Sequence, residues 1–375
     1  MIVRKALVIG GGISGLSAGA ALARRGIEVD LVEIKEKLGD LGGIGLSIMG
    51  NASKALATIG AAQACVAAGM PADVFTVRAS TGEVLATPPW PPLGKPTWPA
   101  QIGISRADFH RILTDAALSA GAKVHCGVTS RSIVQDKQRA HVVFTDDRSG
   151  DYDLIVVADG IYSATRRQLF PGVGRPEHTG QGIWRAYLPR PPDITTTQLH
   201  FGGPQGVVGI CPINDRGCYI YCIHASRAGE WPDAATLHEQ LREKLEGYGG
   251  PIAALAAQLS DPALITYRPL EWLLVPGPRY SGRVVLIGDA AHANPPNVAQ
   301  GAAMGIEDAI VLAEEVSRPD PLEDALARFM ARRWERVKLV VEVSCSVAKN
   351  QVEHTPGFDA TAEIRRASIA LAQPY

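Results

Sequence analysis

Three short apolar runs, each running straight into glycine or an acidic-glycine pair, organise this chain. They are Leu7-Val8-Ile9, Leu154-Ile155-Val156-Val157 and residues 283–287. Continuous apolar runs of this length, without polar alternation, mark strands covered on both faces. After the first run and its three glycines, residues 14–25 carry helix formers with apolar positions at Leu16, Ala20 and Ala23. Gly26 ends that stretch, and residues 28–33 read as a second strand. Strand, glycine turn, helix and strand within about thirty residues have the dimensions of a βαβ unit.

Elsewhere the periodicity changes. Residues 39–50 are glycine-rich and read as a loop, and 51–60 and 61–68 read as helices. The prolines between Pro88 and Pro99 are too dense for regular structure and mark an excursion. Ser105-Arg106-Ala107-Asp108 has the form of a capping box opening a helix through Ser119. Short alternating stretches over 123–144 read as strands. Residues 180–224 are strand-rich, with turn chemistry at Asn214-Asp215-Arg216-Gly217. Alternation there puts Tyr219 and Tyr221 on one face and Cys218, Ile220 and Cys222 on the other. Helices are expected over 234–248, 251–259, 302–316 and 322–351.

Composition narrows the class. With 37 Lys+Arg against 38 Asp+Glu, the net charge of −1 lacks the basic footprint of a nucleic-acid binder. No apolar run reaches the ~18 residues of a membrane helix. Six cysteines, none in a Cys-x-x-Cys pair, supply neither a disulfide scaffold nor a metal-site spacing. Arg4 and Lys5 before an apolar stretch resemble a secretory signal, but Gly10, Gly11, Gly12 and Gly15 interrupt it. A reduced, cytoplasmic protein without a bound metal is expected.

The glycines have a better use. Gly10-x-Gly12-Ile13-Ser14-Gly15 sits between a strand and a helix, where glycine permits a tight turn and backbone approach to a pyrophosphate. Glu33 closes the second strand, where an acid receives a ribose hydroxyl. Asp159-Gly160-x-x-Ser163-x-x-Arg166 follows the second apolar run, and alone would be read as a turn. Gly288-Asp289-Ala290-Ala291-His292, continuing through Pro296 to Gln300-Gly301-Ala302, sets a carboxylate at a strand end before a proline-stiffened loop. That arrangement suits a polyol and a polarised ring. His292 reads as structural in preference to a base. Trp184-Arg185 fits either a substrate contact or a buried tryptophan beside a surface arginine. Arg332, Arg333 and Arg336 read as parts of an amphipathic packing helix.

Three such segments in this order, with Gly43-Ile44-Gly45-Leu46 and Gly50-Asn51-Ala52, resemble the FAD-dependent aromatic-ring hydroxylases of the para-hydroxybenzoate hydroxylase type. The resemblance covers nearly the whole chain. It implies an α/β fold: a Rossmann-like FAD-binding domain (1–72, 101–176 and 276–318), an inserted β-sheet substrate domain (73–100 and 177–275), and a C-terminal helical segment (319–375). It further implies that Gly10, Gly12, Ile13, Ser14 and Gly15 take the FAD pyrophosphate and Glu33 the adenosine ribose. By the same resemblance Arg106 meets the flavin side, Asp159 the cofactor, and Asp289 the ribityl chain. Pro296, Gly301 and Ala302 would line the ring, and Tyr219 and Tyr221 would contact substrate. The implied chemistry is hydroxylation of a small aromatic or heteroaromatic substrate with O2 and NAD(P)H, through a flavin hydroperoxide. A helix N-terminus near Gly301 would favour the anionic reduced flavin. The chain departs from many relatives at Ala299, where glycine is common, and at Asn297, where a bulkier residue is common. An oxidase or dehydrogenase without oxygen insertion, and a dinucleotide-binding redox sensor, remain the alternatives. A homodimer stays open.

Overall fold

Five parallel strands and one antiparallel edge form the sheet on which the rest is built. The computed structural model describes residues 3–39, 43–91 and 98–375. The expected loop at 40–42 and the proline-rich residues 92–97 lie outside the described residues. In spatial order the strands are Tyr280–Ser281, Val284–Leu286, Leu154–Val157, Lys5–Ile9, Glu28–Glu33 and Lys123–Cys126. Ala6 pairs with Leu154 and with Val29, so the first apolar run occupies the centre. Leu7, Val8, Ile155 and Val156 are all fully buried, which is why these runs show no alternation. Helices Ile13–Ala23, Arg106–Ser119 and Gly301–Val316 cover one face and bury a single apolar core with it.

A second sheet of seven strands stands beside the first. Its order is Ile265–Trp272, Glu177–Pro189, Gly217–Ala225, Val208–Pro212, Gln198–Phe201, Thr76–Ala79 and Val84–Ala86. One face packs on helices Leu237–Lys244 and Gly250–Ala256 through Trp184, Ala186, Ile220, Leu241, Ile252 and Leu255. The architecture is α/β: a Rossmann-like parallel sheet with its helices, and a second sheet covered by helices on one face.

Several sequence expectations need correction. Within 39–50, read as loop, Gly45–Met49 is a strand, paired antiparallel to Gln101–Ser105, and Gly50 opens the helix Gly50–Thr58. Its glycines hid its β character, since strand propensity reads side chains and Gly45 has none. The strand needs that glycine: a Cβ at Gly45 would lie 2.7 Å from the ring of Tyr219. Ala360–Ala372 adds a helix beyond the long one, which runs Leu322–Glu353. Arg333 and Arg336, expected on an ordinary amphipathic face, are buried instead. Arg333 pairs with Glu307 at 2.6 Å and Asp308 at 2.8 Å, and Arg336 with Glu307 at 2.7 Å. Among the described residues, no helix is long and apolar enough to cross a membrane.

Candidate active site

The glycines of the first turn act in three different ways. Gly10 has φ +107°, and a Cβ there would lie 2.4 Å from the carbonyl oxygen of Ala158. A Cβ on Gly15 would lie 1.9 Å from the carbonyl oxygen of Gly10, so this glycine lets the helix sit against the strand end. Gly12 differs from both. Its φ of −79° suits any residue, and a Cβ there would meet nothing. Glycine at this position keeps space open, and the space lies at the start of helix Ile13–Ala23. That helix has no acidic residue in its first turn and no side-chain cap, so its leading N–H groups remain available to an anion.

Glu33 is fixed beside this turn. Its Oε2 accepts from the Gly11 N–H at 2.7 Å and its Oε1 from the Lys35 N–H at 3.0 Å. The buried His110, from helix Arg106–Ser119, meets the Gly11 carbonyl through Nε2 at 2.8 Å. Ser14 closes the arrangement from below. It is wedged between two glycines, and a Cβ on Gly288 or Gly305 would lie 2.2 or 2.1 Å from its Oγ.

The second and third motifs converge on the same place. Asp159 accepts from the Thr165 N–H at 3.3 Å through Oδ2, while its Oδ1 is buried without a partner. Arg166 faces inward and bonds the carbonyls of Ala290 at 3.0 Å and Ile161 at 2.7 Å, tying the two segments together. Asp289 begins the short helix Asp289–His292 and opens onto a cavity. Although Asp289 stays open to the cavity, the protein crowded around its carboxyl pushes it above the usual carboxylate range, with His292 and Arg106 opposing. Ser105 caps the helix that Arg106 starts, accepting the Asp108 N–H at 3.0 Å. The Arg106 side chain lies over Gly43, and its Nε has no partner. His292 is structural: it is bonded to Asp308, which also accepts from Arg333.

The cavity holds about 520 Å³. Gly12, Ile13, Ser14, Arg106, Gly160 and Asp289 line one wall, with Pro296, Ala299, Gly301 and Ala302 beside them. Ala299 sits at φ +53°, a left-handed conformation that glycine would adopt without cost. Gly301 begins helix Gly301–Val316, and the preceding Gln300 is held by the Asn51 amide at 2.9 Å. The opposite wall is the open face of the second sheet: Ile183, Arg185, Thr197, Leu199, Tyr219, Tyr221, Ile223 and Leu270. The tyrosine face therefore meets the cavity, and the cysteine face packs on helices. Tyr221 lies over Gly209, where a Cβ would fall 2.3 Å from its ring. A hollow of about 480 Å³ between Arg24, Ala64 and Arg111 shares none of these residues.

The profile of the FAD binding domain family matches residues 4–342. Aurachin C monooxygenase/isomerase of Stigmatella aurantiaca is 31% identical over 343 residues, covering 88% of this chain and 85% of the relative. The FAD-dependent urate hydroxylase of Klebsiella pneumoniae is 29% identical, covering 90% of this chain and 88% of its own. The crystal structure of Klebsiella pneumoniae HpxO with FAD and uric acid superposes with a TM-score of 0.85 at 25% identity, covering 98% of this chain and 92% of that one. The chain belongs to the FAD-dependent aromatic-ring hydroxylases.

For a member of this family, FAD is the group against which the cavity is tested, and the residues fit it. The open space at Gly12 leaves room for a diphosphate against helix N–H groups. The unpartnered Asp159 Oδ1 and Arg106 Nε are buried polar atoms that a cofactor can satisfy. The family motifs do not reveal every residue here. His110 braces the glycine turn from a helix distant in sequence, and only its place one turn into a helix adjoining the site hinted at this. Cys211 lies behind Tyr219, its thiol near Ser47, Gln101 and Thr197. Both tyrosine hydroxyls are without a hydrogen-bond partner among the described residues and face the cavity. Tyr219→Phe and Tyr221→Phe are therefore each expected to weaken binding of a hydroxylated aromatic about threefold to tenfold. Titration of the flavin spectrum in each variant reads this, and unchanged affinity in both would contradict the assignment.

Proposed function

We propose that this hydroxylase binds FAD across the cavity and uses NAD(P)H and O2 to hydroxylate a small aromatic or heteroaromatic ring. The observation carrying the reading is Gly12, a glycine that neither backbone nor packing requires, at a helix start facing Asp289 and the open sheet face. The division into 1–72, 101–176 and 276–318 for FAD, 73–100 and 177–275 for substrate, and 319–375 as helical support belongs to the same proposal. FAD, when bound, supplies the chemistry, taking a hydride from NAD(P)H and activating oxygen for transfer.

This chain's own residues hold and enclose. Gly10, Gly12, Ile13, Ser14 and Gly15 receive the pyrophosphate on backbone N–H groups, and Glu33 accepts a ribose hydroxyl. Arg106 and Asp159 offer the unpartnered atoms described above, while Asp289 accepts from the ribityl chain. Pro296, Gly301 and Ala302 form the wall for the ring, and the N-terminus of helix Gly301–Val316 favours negative charge beside it. Tyr219 and Tyr221 close the substrate side and exclude water, so that polar interactions inside gain strength. The urate hydroxylase acts on a heteroaromatic ring by its name, which supports a substrate of that kind here.

The test begins with purified protein, which should be yellow and release intact FAD on acid treatment. Candidate aromatics should stimulate NAD(P)H oxidation, and labelled oxygen from O2 should enter the product. Peroxide without labelled product would favour the oxidase alternative. Asp289→Ala should lower FAD occupancy about tenfold or more through loss of hydrogen bonds to a charged acceptor. Full occupancy with full coupling in that variant would remove Asp289 from the proposed role.

A further inference from the structure

The far end of helix Leu322–Glu353 holds both walls of the cavity from outside. Gln351 Oε1 accepts from Gln181 Nε2 at 2.8 Å and from Asn297 Nδ2 at 2.9 Å. None of these three residues lines the cavity, but each donor adjoins residues that do. Asn297 follows Pro296 in the loop that walls the proposed ring site, two positions before Ala299. Gln181 stands two positions before Ile183 in strand Glu177–Pro189, whose pairing with Gly217–Ala225 is regular from Gln181 onward. Alternation therefore places it on the cavity face, beyond the cavity's edge. Just before it the strand is irregular. Pairing with Ile265–Trp272 shifts between His178 and Gly182, and Gly180 takes φ +81°. That bulge brings the backbone against the helix end, where a Cβ on Gly180 would lie 3.6 Å from Val352.

Gln181 is 2% exposed, and its Oε1 and the Oδ1 of Asn297 are both buried without a partner among the described residues. Two amides thus direct their donors to one acceptor and leave their own oxygens unmet, an arrangement that costs stability. The loop is fastened to the same helix twice more. Asn294 Nδ2 donates to Ser344 Oγ at 3.3 Å, and Val298 packs on Val343 and Val347. The loop therefore follows the helix, and Gln351 joins the opposite sheet to that pair. We propose that Gln351 is a positioning residue, which fixes the spacing between the wall for the flavin ring and the sheet wall that faces it. The inference rests on the hydroxylase reading above and adds to it a residue outside the cavity. Oxygen transfer needs the reacting atoms held at contact distance and water kept out, so a gap between the walls is harmful even when the cofactor stays bound. Because both bonds end on Oε1, a carboxylate of the same length can take the place of this amide.

The experiment uses FAD-loaded protein and follows quenching of the bound flavin's fluorescence by iodide. FAD content and melting temperature are measured on the same samples. Wild type should protect its flavin relative to FAD in solution. One hydrogen bond shifts an open–closed balance about fivefold, so Gln351→Leu should raise the quenching constant by about that factor with FAD content unchanged. Gln351→Glu should restore protection, because its carboxylate accepts from both amides. Gln181→Leu should match Gln351→Leu, and combining the two should add nothing, as for partners in one interaction. A residue that merely stabilised the fold would lower the melting temperature of Gln351→Leu and leave quenching at the wild-type value, and that result overturns the proposal. So does protection lost equally in Gln351→Glu, and so do additive effects of the Gln181 and Gln351 changes. Loss of FAD from Gln351→Leu also overturns it, since the residue would then act on cofactor binding. Wild-type flavin quenched as freely as FAD in solution, or no uptake of FAD by wild type, would instead overturn the hydroxylase reading on which the inference rests.

Discussion

Gly12→Val is expected to give a folded protein that no longer retains FAD. The backbone at position 12 suits valine, and the added side chain meets no protein atom. Folding free energy should move by less than about 1 kcal/mol, as for an exposed substitution free of strain. The branched side chain would fill the space in front of the leading N–H groups of helix Ile13–Ala23. Losing two charge-assisted contacts there corresponds to roughly 3–6 kcal/mol, or a hundredfold or more in affinity. Gly15→Val is the informative contrast. Its Cβ would collide with the Gly10 carbonyl at 1.9 Å, so strand and helix must separate and the fold itself should fail. Circular dichroism and flavin absorbance on the two variants distinguish lost fold from lost cofactor. Added FAD should raise the melting temperature of wild type and leave that of Gly12→Val unchanged. Retention of FAD by Gly12→Val would show that the diphosphate lies elsewhere.

The second large effect is expected at residues that do not line the cavity. Arg333→Met leaves Glu307 and Asp308 short of their shared buried partner, and breaking such a pair costs about 3–5 kcal/mol. Arg336 and Asn51 remain on Glu307, and His292 on Asp308, so the loss should not exceed that range. Pairing the change with Glu307→Gln should recover part of the stability, because the stranded charge is then gone. A melting temperature for Arg333→Met equal to wild type would refute this account. The network also has a pH signature. Burial alone would raise the Asp308 carboxyl, but His292 and Arg333 outweigh it and hold its pKa below the ordinary range. A carboxyl depressed in the folded state gives stability that is complete above its unfolded pKa of about 3.9 and lost as pH falls below it. Wild type should thus show an acid-side loss that Asp308→Asn lacks.

The parts of the fold most legible in the sequence were those governed by local physics. Uninterrupted apolar runs gave the central strands, and Ser105 with Asp108 forms the capping box its spacing announced. The turn at Asn214 is equally local, with its side chain accepting the N–H groups of Arg216 and Gly217. What escaped depends on partners distant in the chain. Gly45–Met49 pairs with Gln101–Ser105 across a long excursion, and its glycine is explained by Tyr219 and Ile213, both distant in the chain. The arginines of the long helix read only as parts of an amphipathic packing helix, because nothing local reveals that Glu307 and Asp308 face them. Arg185 was ambiguous for the same reason. Strand alternation separates it from Trp184, but which face opens on a cavity is decided by the neighbouring domain.

Ser14 seated between Gly288 and Gly305 bears on how the protein is made. A ribosome releases the glycine turn early, yet two of the surfaces that complete its cradle arrive nearly three hundred residues later. The amino-terminal βαβ unit must therefore persist as an unfilled scaffold throughout synthesis, with the apolar face of its central strands awaiting helix Gly301–Val316. FAD can act only at the end of that process, as a lock on a chain already closed. Truncations beyond the last motif that disturb the Glu307 network would then show first as poor flavin incorporation during expression, although no residue they remove touches the cavity.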